Sequence, residues 1–333
     1  MRNSQLDNDD STLRQAVFDH LDHLLVEAQA EFLHSRVINI FGYHGQPIPL
    51  IVQSGIRKVA GCSGALTIRT TYTPPSVVPP YVDEVGSDGL VRYKYRGEDE
   101  GHSDNRALRH AMEMGLPLAY FVGIARDIYL PIYPVYVEAE DRSRHEFAIA
   151  VDEHLHGLDL GSIDDFRREY RMSVTKIRLH QPSFRSRVLY AYNSTCAICR
   201  LHHSELLDAA HILPDGHPRG TPIVPNGITL CKLHHAALDR NLLGIRPDFV
   251  VEIRSELLRE IDGPMLQHGI KEMNGSHLVA PRERASRPDT ARLEERYQEL
   301  IEVARPHPYR QGLRPRLVND NTTDALGPAC SMG

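Results

Sequence analysis

The sequence lacks any apolar run long enough to cross a membrane. A transmembrane helix needs about 20 consecutive apolar residues, so the composition argues against a membrane protein. The first stretch of the chain is polar and acidic, and it lacks the apolar core of a secretory signal peptide. We therefore expect a cytoplasmic protein, whose reducing surroundings would keep cysteine thiols free for metal binding.

An excess of positive charge is also absent, because the formal net charge is −6. A protein that coats nucleic acid by bulk attraction would be basic, so any such contact is expected to be local. Basic residues do cluster before the cysteine-rich segment, where only Glu169 opposes them. This strip predicts either a phosphate track or a solvated helix face. Its members are Arg167, Arg168, Arg171, Lys176, Arg178, Arg185, Arg187 and Arg200.

Cysteine is scarce, with five residues in the chain, yet three of them fall within residues 196–231. Cys196 and Cys199 form one pair of potential ligands, and Cys231 with His234 forms a second pair at the same spacing. Two such pairs predict a tetrahedral Zn²⁺ site that is filled by four protein ligands and is therefore structural. The long segment between the pairs leaves room for a hairpin that carries other chemistry.

Between and after these pairs lie an Ala-His-Ile sequence with His211, an Asn-Gly sequence with Asn226, and then His235. Over about residues 190–245 the chain resembles the HNH, or ββα-metal, endonuclease family. The resemblance implies a β-hairpin and a helix around one divalent ion, Mg²⁺ or Mn²⁺, and double-stranded DNA as the substrate. It further implies that His211 is the general base, that Asn226 orients the hairpin loop and the base, and that His235 binds the catalytic ion.

The carboxylate ligands of the ion are less defined by the pattern. Asp239 lies four residues after His235 and would share its helical face, although it could also be an ordinary exposed acid. Many family members carry an acidic ligand just before the base, where this chain has Ala210. Because side chains alternate along a strand, Asp208 would face the same way as position 210 and could supply the missing carboxylate.

The amino-terminal part of the sequence has a different pattern of residues. Apolar residues at helical spacing predict a long amphipathic helix from Ser11, after a disordered start. Short β-branched and aromatic runs between residues 36 and 150, interrupted by Gly and Pro, predict a curved, mostly antiparallel sheet with one helix at residues 104–115. The overall expectation is an α+β fold, in which this sheet domain precedes a zinc-braced ββα-metal domain.

These patterns divide the chain into five predicted parts. They are a tail and amphipathic helix (1–34), an α+β DNA-recognition domain (35–150), a basic connector (151–180), a nuclease domain with a carboxy-terminal helix (181–305) and a flexible tail (306–333).

The amino-terminal pieces GALTIRTTYTPP and YLPIYPVYV resemble the corresponding half of bacterial HNH-type restriction endonucleases. That resemblance implies a DNA-recognition module, and some such enzymes use an SRA- or PUA-like reader that flips out a modified cytosine. A base-reading pocket needs aromatic walls and polar groups, and Tyr81, Asp83 and residues 93–105 supply both. However, tyrosines in short strands usually belong to the core, and Asp104 could simply cap the helix. The DNA contacts predicted across the chain are Arg69, Arg92, Tyr93, Arg96, Arg185 and Arg187.

Two other functions compete with a nuclease. A zinc-stabilised DNA-binding protein with a decayed active site is favoured by Ala210 and opposed by the presence of His211, Asn226 and His235. A zinc-dependent hydrolase is opposed by the four ligands that fill the zinc site. Because one HNH module cuts one strand, cleavage of both strands predicts either a homodimer, which we expect, or two successive binding events.

Overall fold

The computed structural model describes residues 2–78, 85–86, 88–152 and 165–304. The predicted tail at 306–333 lies outside these residues. The amino-terminal elements are α1 (Arg2–Ala28), β1 (Leu33–His34), α2 (Ser35–Ile38), β2 (Gly42–Tyr43), β3 (Gln46–Pro47), β4 (Ile56–Lys58), β5 (Ala65–Arg69), β6 (Val91–Lys94), α3 (Ser103–Glu113), β7 (Leu118–Ala125), β8 (Ile128–Asp141) and β9 (Glu146–Ala150).

The carboxy-terminal elements begin with a long helix that contains one π-helical turn. They are α4 (Asp165–Thr175), the π turn (Lys176–His180), α5 (Gln181–Ala191), β10 (Leu207–His211), β11 (Gly227–Cys231), α6 (Lys232–Asp239), β12 (Leu243–Ile245), β13 (Val251–Ile253), α7 (Ser255–Arg259), α8 (Pro264–Gly269) and α9 (Thr290–Ala304). Short 3₁₀ turns lie at Ser204–Leu206, Val224–Asn226, Lys271–Met273 and Arg284–Ser286.

A seven-stranded sheet forms the amino-terminal domain, with strand order β4-β5-β7-β8-β9-β6 and β1 beside β8. Only the pairing of β5 with β7 is parallel, so the prediction of a mostly antiparallel sheet is confirmed. The sheet curls until its two ends approach each other. The single hydroxyl proton of Tyr93, in the edge strand β6, is shared between the carbonyl oxygens of Gly55 and Arg69 near the opposite edge, both at 3.1 Å.

Helices cover both faces of this sheet. Side chains alternate along a strand, and the buried strands carry apolar residues on both faces, so each face packs against a helix. Phe121 of β7 packs in a core with Val17 and Leu21 of α1. Tyr120, its neighbour in the chain, packs in a second core with Leu108 of α3. The apolar stripe of α1 therefore has the function that its helical spacing predicts, which is to cover one face of the sheet.

Two predictions about the amino-terminal half need correction. Helix α1 begins at Arg2 rather than at Ser11, so residues 2–10 are helical. The β-branched run at residues 36–41 forms the short helix α2 and a turn instead of a strand. The predicted basic connector, for which the sequence indicated no element, is helical from residue 165 and continues through the π turn into α5 without a break.

Strands β10 and β11 form an antiparallel hairpin, with pairs from Leu207 and Cys231 to His211 and Gly227. Helix α6 follows at once, which confirms the predicted ββα arrangement. Helix α5 packs under the hairpin, and Val188 and Ile228 are among the residues of this separate core. Within the described residues, no helix is both long and apolar enough to span a membrane.

Candidate functional site

The predicted zinc ligands converge at one end of the hairpin. Cys196 and Cys199 lie on a tight turn after α5, Cys231 ends β11, and His234 lies in the first turn of α6. Ligand atoms from the four side chains all lie within 4.8 Å of one another. Three sulfurs and one imidazole are a donor set typical of structural Zn²⁺, so the arrangement fits the predicted closed zinc site.

The orientation of His234 supports this fit. Its Nε2 lies 2.8 Å from the carbonyl oxygen of Gly269, and its Nδ1 lies 3.1 Å from the sulfur of Cys231. A carbonyl that accepts one ring N–H fixes the tautomer in which the other nitrogen can bind metal. Contacts from Cys199 and Cys231 lower the pKa of the Cys196 thiol, and the thiolate is the form that binds Zn²⁺.

A cavity of about 510 Å³ opens beside this zinc cluster. It brings together His211 and Asp208 from β10 and His235 from α6, so the predicted base and the predicted ion ligand share one site. Helix α5 contributes Phe184 and Arg185. The remaining lining residues are Lys176, His180, Gln181, Ala209, Asp215 and Pro222.

His211 ends β10, where its imidazole stacks on the ring of Phe184 with centroids 4.1 Å apart and an interplanar angle of 14°. Its Nε2 is buried and has no hydrogen-bond partner among the described residues, which leaves Nδ1 as the nitrogen open to the cavity. Burial lowers the pKa of His211, because desolvation disfavours the charged imidazolium. The ring is therefore held neutral, as a general base requires.

The stack under His211 depends on a glycine. Gly227 pairs with His211 across the hairpin, and a Cβ atom there would lie 2.9 Å from Cζ of Phe184 and 2.4 Å from Cγ2 of Val188. Any side chain at this position would push α5 away from the hairpin. No short motif in the sequence indicates Phe184, because its contact with His211 spans 27 positions of the chain.

Asn226 fixes the loop that follows His211. Its buried side-chain amide accepts from the N–H of Leu213 at 3.0 Å and donates to the carbonyl oxygens of Leu213 and Thr221. The residue is fully buried, so it touches backbone rather than the cavity. This placement agrees with the role implied by the family resemblance, which is to orient the loop and the base.

His235 lies between two carboxylates. Its Nδ1 is 3.2 Å from Asp208, and its Nε2 is 3.4 Å from Asp239. The other oxygen of Asp208 accepts from Nζ of Lys232 at 2.5 Å. Although burial opposes ionisation of Asp208, its hydrogen bonds from Lys232 and His235 outweigh burial and lower its pKa. Both oxygens of Asp208 are thus engaged, which favours an orienting role over direct binding of an ion.

The basic strip does not form one open face. Lys176 pairs with Asp215 at the cavity, and Arg178 pairs with Asp152 at 2.6 Å. Arg185 lines the cavity while it donates to the carbonyl oxygen of Leu207 at 2.6 Å.

Arg187 corrects the prediction of a DNA contact. Only 3% of it is exposed, and its guanidinium donates to the carbonyl oxygens of Thr73, Pro74 and Val77 in the amino-terminal domain. In this arrangement Arg187 binds backbone of its own chain and is closed to DNA.

The other predicted DNA contacts meet in a second cavity. Arg69, Arg92, Tyr93 and Arg96 all line it. None of the residues 99–105 lines this cavity. Asp104 pairs with Arg96 at 2.6 Å, and the start of α3 is capped by His102 instead of Asp104.

Comparison with known proteins places the nuclease features in a family. Residues 196–246 match the family model described as HNH endonuclease. This segment is an HNH endonuclease domain. The predicted resemblance and the prediction of a metal-dependent nuclease are therefore confirmed, and the match covers the hairpin, α6 and the zinc ligands.

Two solved structures show weak similarity to the chain. The modification-dependent restriction endonuclease TagI is 14% identical with a TM-score of 0.27, over 81% of this chain and 91% of that chain. The Type IV phosphorothioation-dependent restriction endonuclease ScoMcrA is 13% identical with a TM-score of 0.18, over 75% of this chain and 53% of that chain. At these TM-scores neither similarity bears on how this chain works. No curated protein matches the sequence.

Proposed function

We propose that the protein is a restriction endonuclease that hydrolyses phosphodiester bonds of double-stranded DNA with one catalytic divalent ion. The observation that carries this proposal is the cavity in which His211 and His235 meet at the ββα hairpin of the HNH domain. A histidine base and an ion ligand in one cavity are what a one-metal phosphodiesterase needs.

In this proposal His211 accepts the proton of the attacking water at Nδ1, since Nε2 is buried. The stack on Phe184 holds the ring plane, and Asn226 holds the loop that follows the base. The zinc site has no part in the reaction. It fixes the turn at Cys196 and Cys199 to the start of α6, and so keeps His211 and His235 in register.

The residues that would hold the catalytic ion are His235 and Asp239, with Asp208 orienting His235 through Nδ1. The carboxylate of Asp239 would supply an oxygen ligand of the kind that Mg²⁺ and Mn²⁺ prefer. When bound, the ion supplies charge that stabilises the phosphorane-like transition state and the leaving oxygen. If Asp208 only orients His235, then Asp208→Asn should weaken activation by Mg²⁺ while leaving some cleavage.

Reading of modified cytosine by the amino-terminal domain, and action as a homodimer, are finer parts of this proposal. Both rest on the resemblance stated from the sequence. Residues Tyr81 and Asp83, which the sequence offered as part of a base pocket, lie outside the described residues.

The experiment is digestion of matched plasmids, with and without modified cytosine, in Mg²⁺, Mn²⁺ or EDTA. Wild-type protein should cut in either metal and stop in EDTA, and His211→Ala should cut at least about 100-fold more slowly. His217→Ala is the matched control, because His217 pairs with Glu295 outside the cavity. Equal cutting of both plasmids would remove the modified-cytosine part, and cutting by His211→Ala at the wild-type rate would remove the mechanism.

The second candidate, a zinc-stabilised DNA-binding protein with a decayed site, is favoured by alanine at position 210, which is fully buried. Wild-type protein that binds duplex DNA but cuts neither plasmid in any metal would establish it.

A further inference from the structure

The second cavity lies at the seam where the two edges of the curved sheet meet. This seam cavity has a volume of about 330 Å³. It is lined by residues 53–56 and 69–71 from one edge and by residues 92–96 from the other. Its size is at the lower end of the range for ligand sites, about 300 to 1,000 Å³. The seam cavity is separate from the nuclease cavity and shares no lining residue with it.

The charge of the lining has one sign. Arg69, Arg92, Lys94 and Arg96 all line the seam cavity, and none of its twelve lining residues carries a carboxylate. For three of these cations a partner lies outside the lining. Arg92 pairs with Asp88 at 2.8 Å, Lys94 with Glu146 at 2.5 Å and Arg96 with Asp104 at 2.6 Å.

Arg69 differs, because neutral groups hold it. Its Nε donates to the carbonyl oxygen of Val52 at 2.7 Å, Nη1 to the hydroxyl of Tyr129 at 2.9 Å and Nη2 to the carbonyl oxygen of Gln53 at 3.1 Å. Among the described residues, no carboxylate lies within 4.0 Å of it. A guanidinium has five N–H donors, so two remain for a ligand. Within the part of the chain that the structure describes, Arg69 is thus a fixed cation without a compensating charge.

The lining offers little with which to read a cytosine edge. Reading the exocyclic amine of cytosine is typically done by a carboxylate acceptor, and the lining has none. The one hydroxyl proton of Tyr93 is already shared between two carbonyl oxygens, and the hydroxyl of Tyr95 donates to Glu140. A phosphate group accepts hydrogen bonds and donates none in its charged form, and it suits such a lining.

We propose that the seam cavity binds a backbone phosphate of DNA, with Arg69 as the anchoring cation. This inference rests on the proposed function only in that DNA is the substrate. It assigns the amino-terminal domain a positioning contact that is independent of base sequence and base modification. Binding of the phosphate would also bridge the two edges of the sheet, since Arg69 and Lys94 belong to opposite edges.

The test measures binding of a labelled DNA duplex to zinc-loaded His211→Ala protein over a series of salt concentrations. Adding Arg69→Gln should weaken binding about tenfold and reduce the slope of log K against log salt by about 0.9, the contribution of one phosphate. The loss should be the same for modified and unmodified duplexes. The matched control is Arg126→Gln, an arginine that is 95% exposed on the loop between β7 and β8, and it should change neither quantity.

Because Arg69 also holds the backbone at residues 52 and 53, Lys94→Gln provides a second variant. The side chain of Lys94 is 54% exposed, and its partner Glu146 keeps Arg92 and Arg144 as neighbours. Lys94→Gln should also reduce the slope of log K against log salt.

Two outcomes would overturn the proposal. If Arg69→Gln and Lys94→Gln leave the slope unchanged but abolish discrimination between modified and unmodified duplexes, then the cavity reads a base. If both variants bind as their parent does, then DNA does not enter the cavity. Neither result touches the proposed function, which fails separately if wild-type protein does not cut duplex DNA.

Discussion

Three histidines of the HNH domain serve different tasks because different contacts orient their rings. A backbone carbonyl accepts from His234 and turns its Nδ1 to the cysteine sulfurs. A carboxylate accepts from His235 and leaves its Nε2 beside Asp239. His211 instead lies against the flat face of Phe184. An aromatic ring orients an imidazole without adding charge, which suits a base that must be neutral. His234 and His235 are instead oriented toward the proposed zinc ion and the proposed catalytic ion.

The first prediction concerns the pH dependence of cleavage. His211 acts only when it is neutral, and burial lowers its pKa below the ordinary value of 6.5. The base therefore stays neutral to a lower pH than a free histidine would. The midpoint of the acid limb of the rate profile should therefore lie below pH 6.5. Other charges act on His211 in both directions. Asp215 and Asp239 raise its pKa, whereas His235 and Lys176 lower it.

Phe184→Ala provides the comparison for this profile. Loss of the ring would let water reach His211 and raise its pKa, so the acid limb should move to higher pH and the maximal rate should fall. Val188→Ala removes a side chain from the same core, one turn along α5, without uncovering the imidazole. The profiles are measured at saturating metal. Identical acid limbs for wild type and Phe184→Ala would contradict the assigned role of the stack.

At the scale of elements, the zinc cluster joins three pieces that also pack in one apolar core. It connects the turn after α5, the end of β11 and the start of α6. Strands β10 and β11 have five residues each, and α6 has eight. A two-stranded hairpin of this size is marginally stable alone, so the ββα unit depends on both the metal and this core.

The second prediction is that loss of one ligand unfolds this unit. Cys199→Ser should lose tightly bound zinc and lower the free energy of unfolding of the HNH domain by at least about 3 kcal/mol, since zinc binding is coupled to folding. Zinc content and thermal unfolding of purified protein would measure both effects. Cys62→Ser is the control, because Cys62 lies outside the cluster. Full zinc content in Cys199→Ser would exclude Cys199 as a ligand.

Local patterns predicted the parts of the site that lie close together in the chain. The two ligand pairs were visible because a two-residue spacing directs both side chains to one point. The contacts of Phe184 with His211 and of Gly269 with His234 were not visible, since they depend on how distant segments pack. The prediction of a strand at residues 36–41 was wrong for a related reason, because tertiary context outweighs local β-propensity.

At the scale of the whole molecule, polar contacts as well as apolar packing join the two domains. Arg187 of α5 donates to carbonyl oxygens at residues 73–77 of the sheet domain. The N–H of Val224, in the turn that contains Asn226, donates to the carbonyl oxygen of Pro75 at 3.1 Å. Arg185 pairs with Glu31, just after α1, at 3.1 Å. Residues 69–71 line the seam cavity. Residues 73–77, which follow them in the chain, thus contact α5, the helix that carries Phe184.

The last prediction concerns this junction. Arg187→Ala would leave the carbonyl oxygens of Thr73, Pro74 and Val77 without this donor, and hydrogen bonds to a charged group contribute about 1.5–3 kcal/mol. The free energy of unfolding in urea should fall by about that amount, and the unfolding of the two domains should become less cooperative. Arg187→Lys keeps the charge but offers one donor group in place of a planar fork, so it should recover only part of the loss. Arg259→Ala, an exposed arginine at the end of α7, is the control and should leave both quantities unchanged. If Arg187→Ala unfolds at the wild-type urea concentration, then the contact with residues 73–77 does not hold the domains together, and their arrangement must depend on the apolar surface between them.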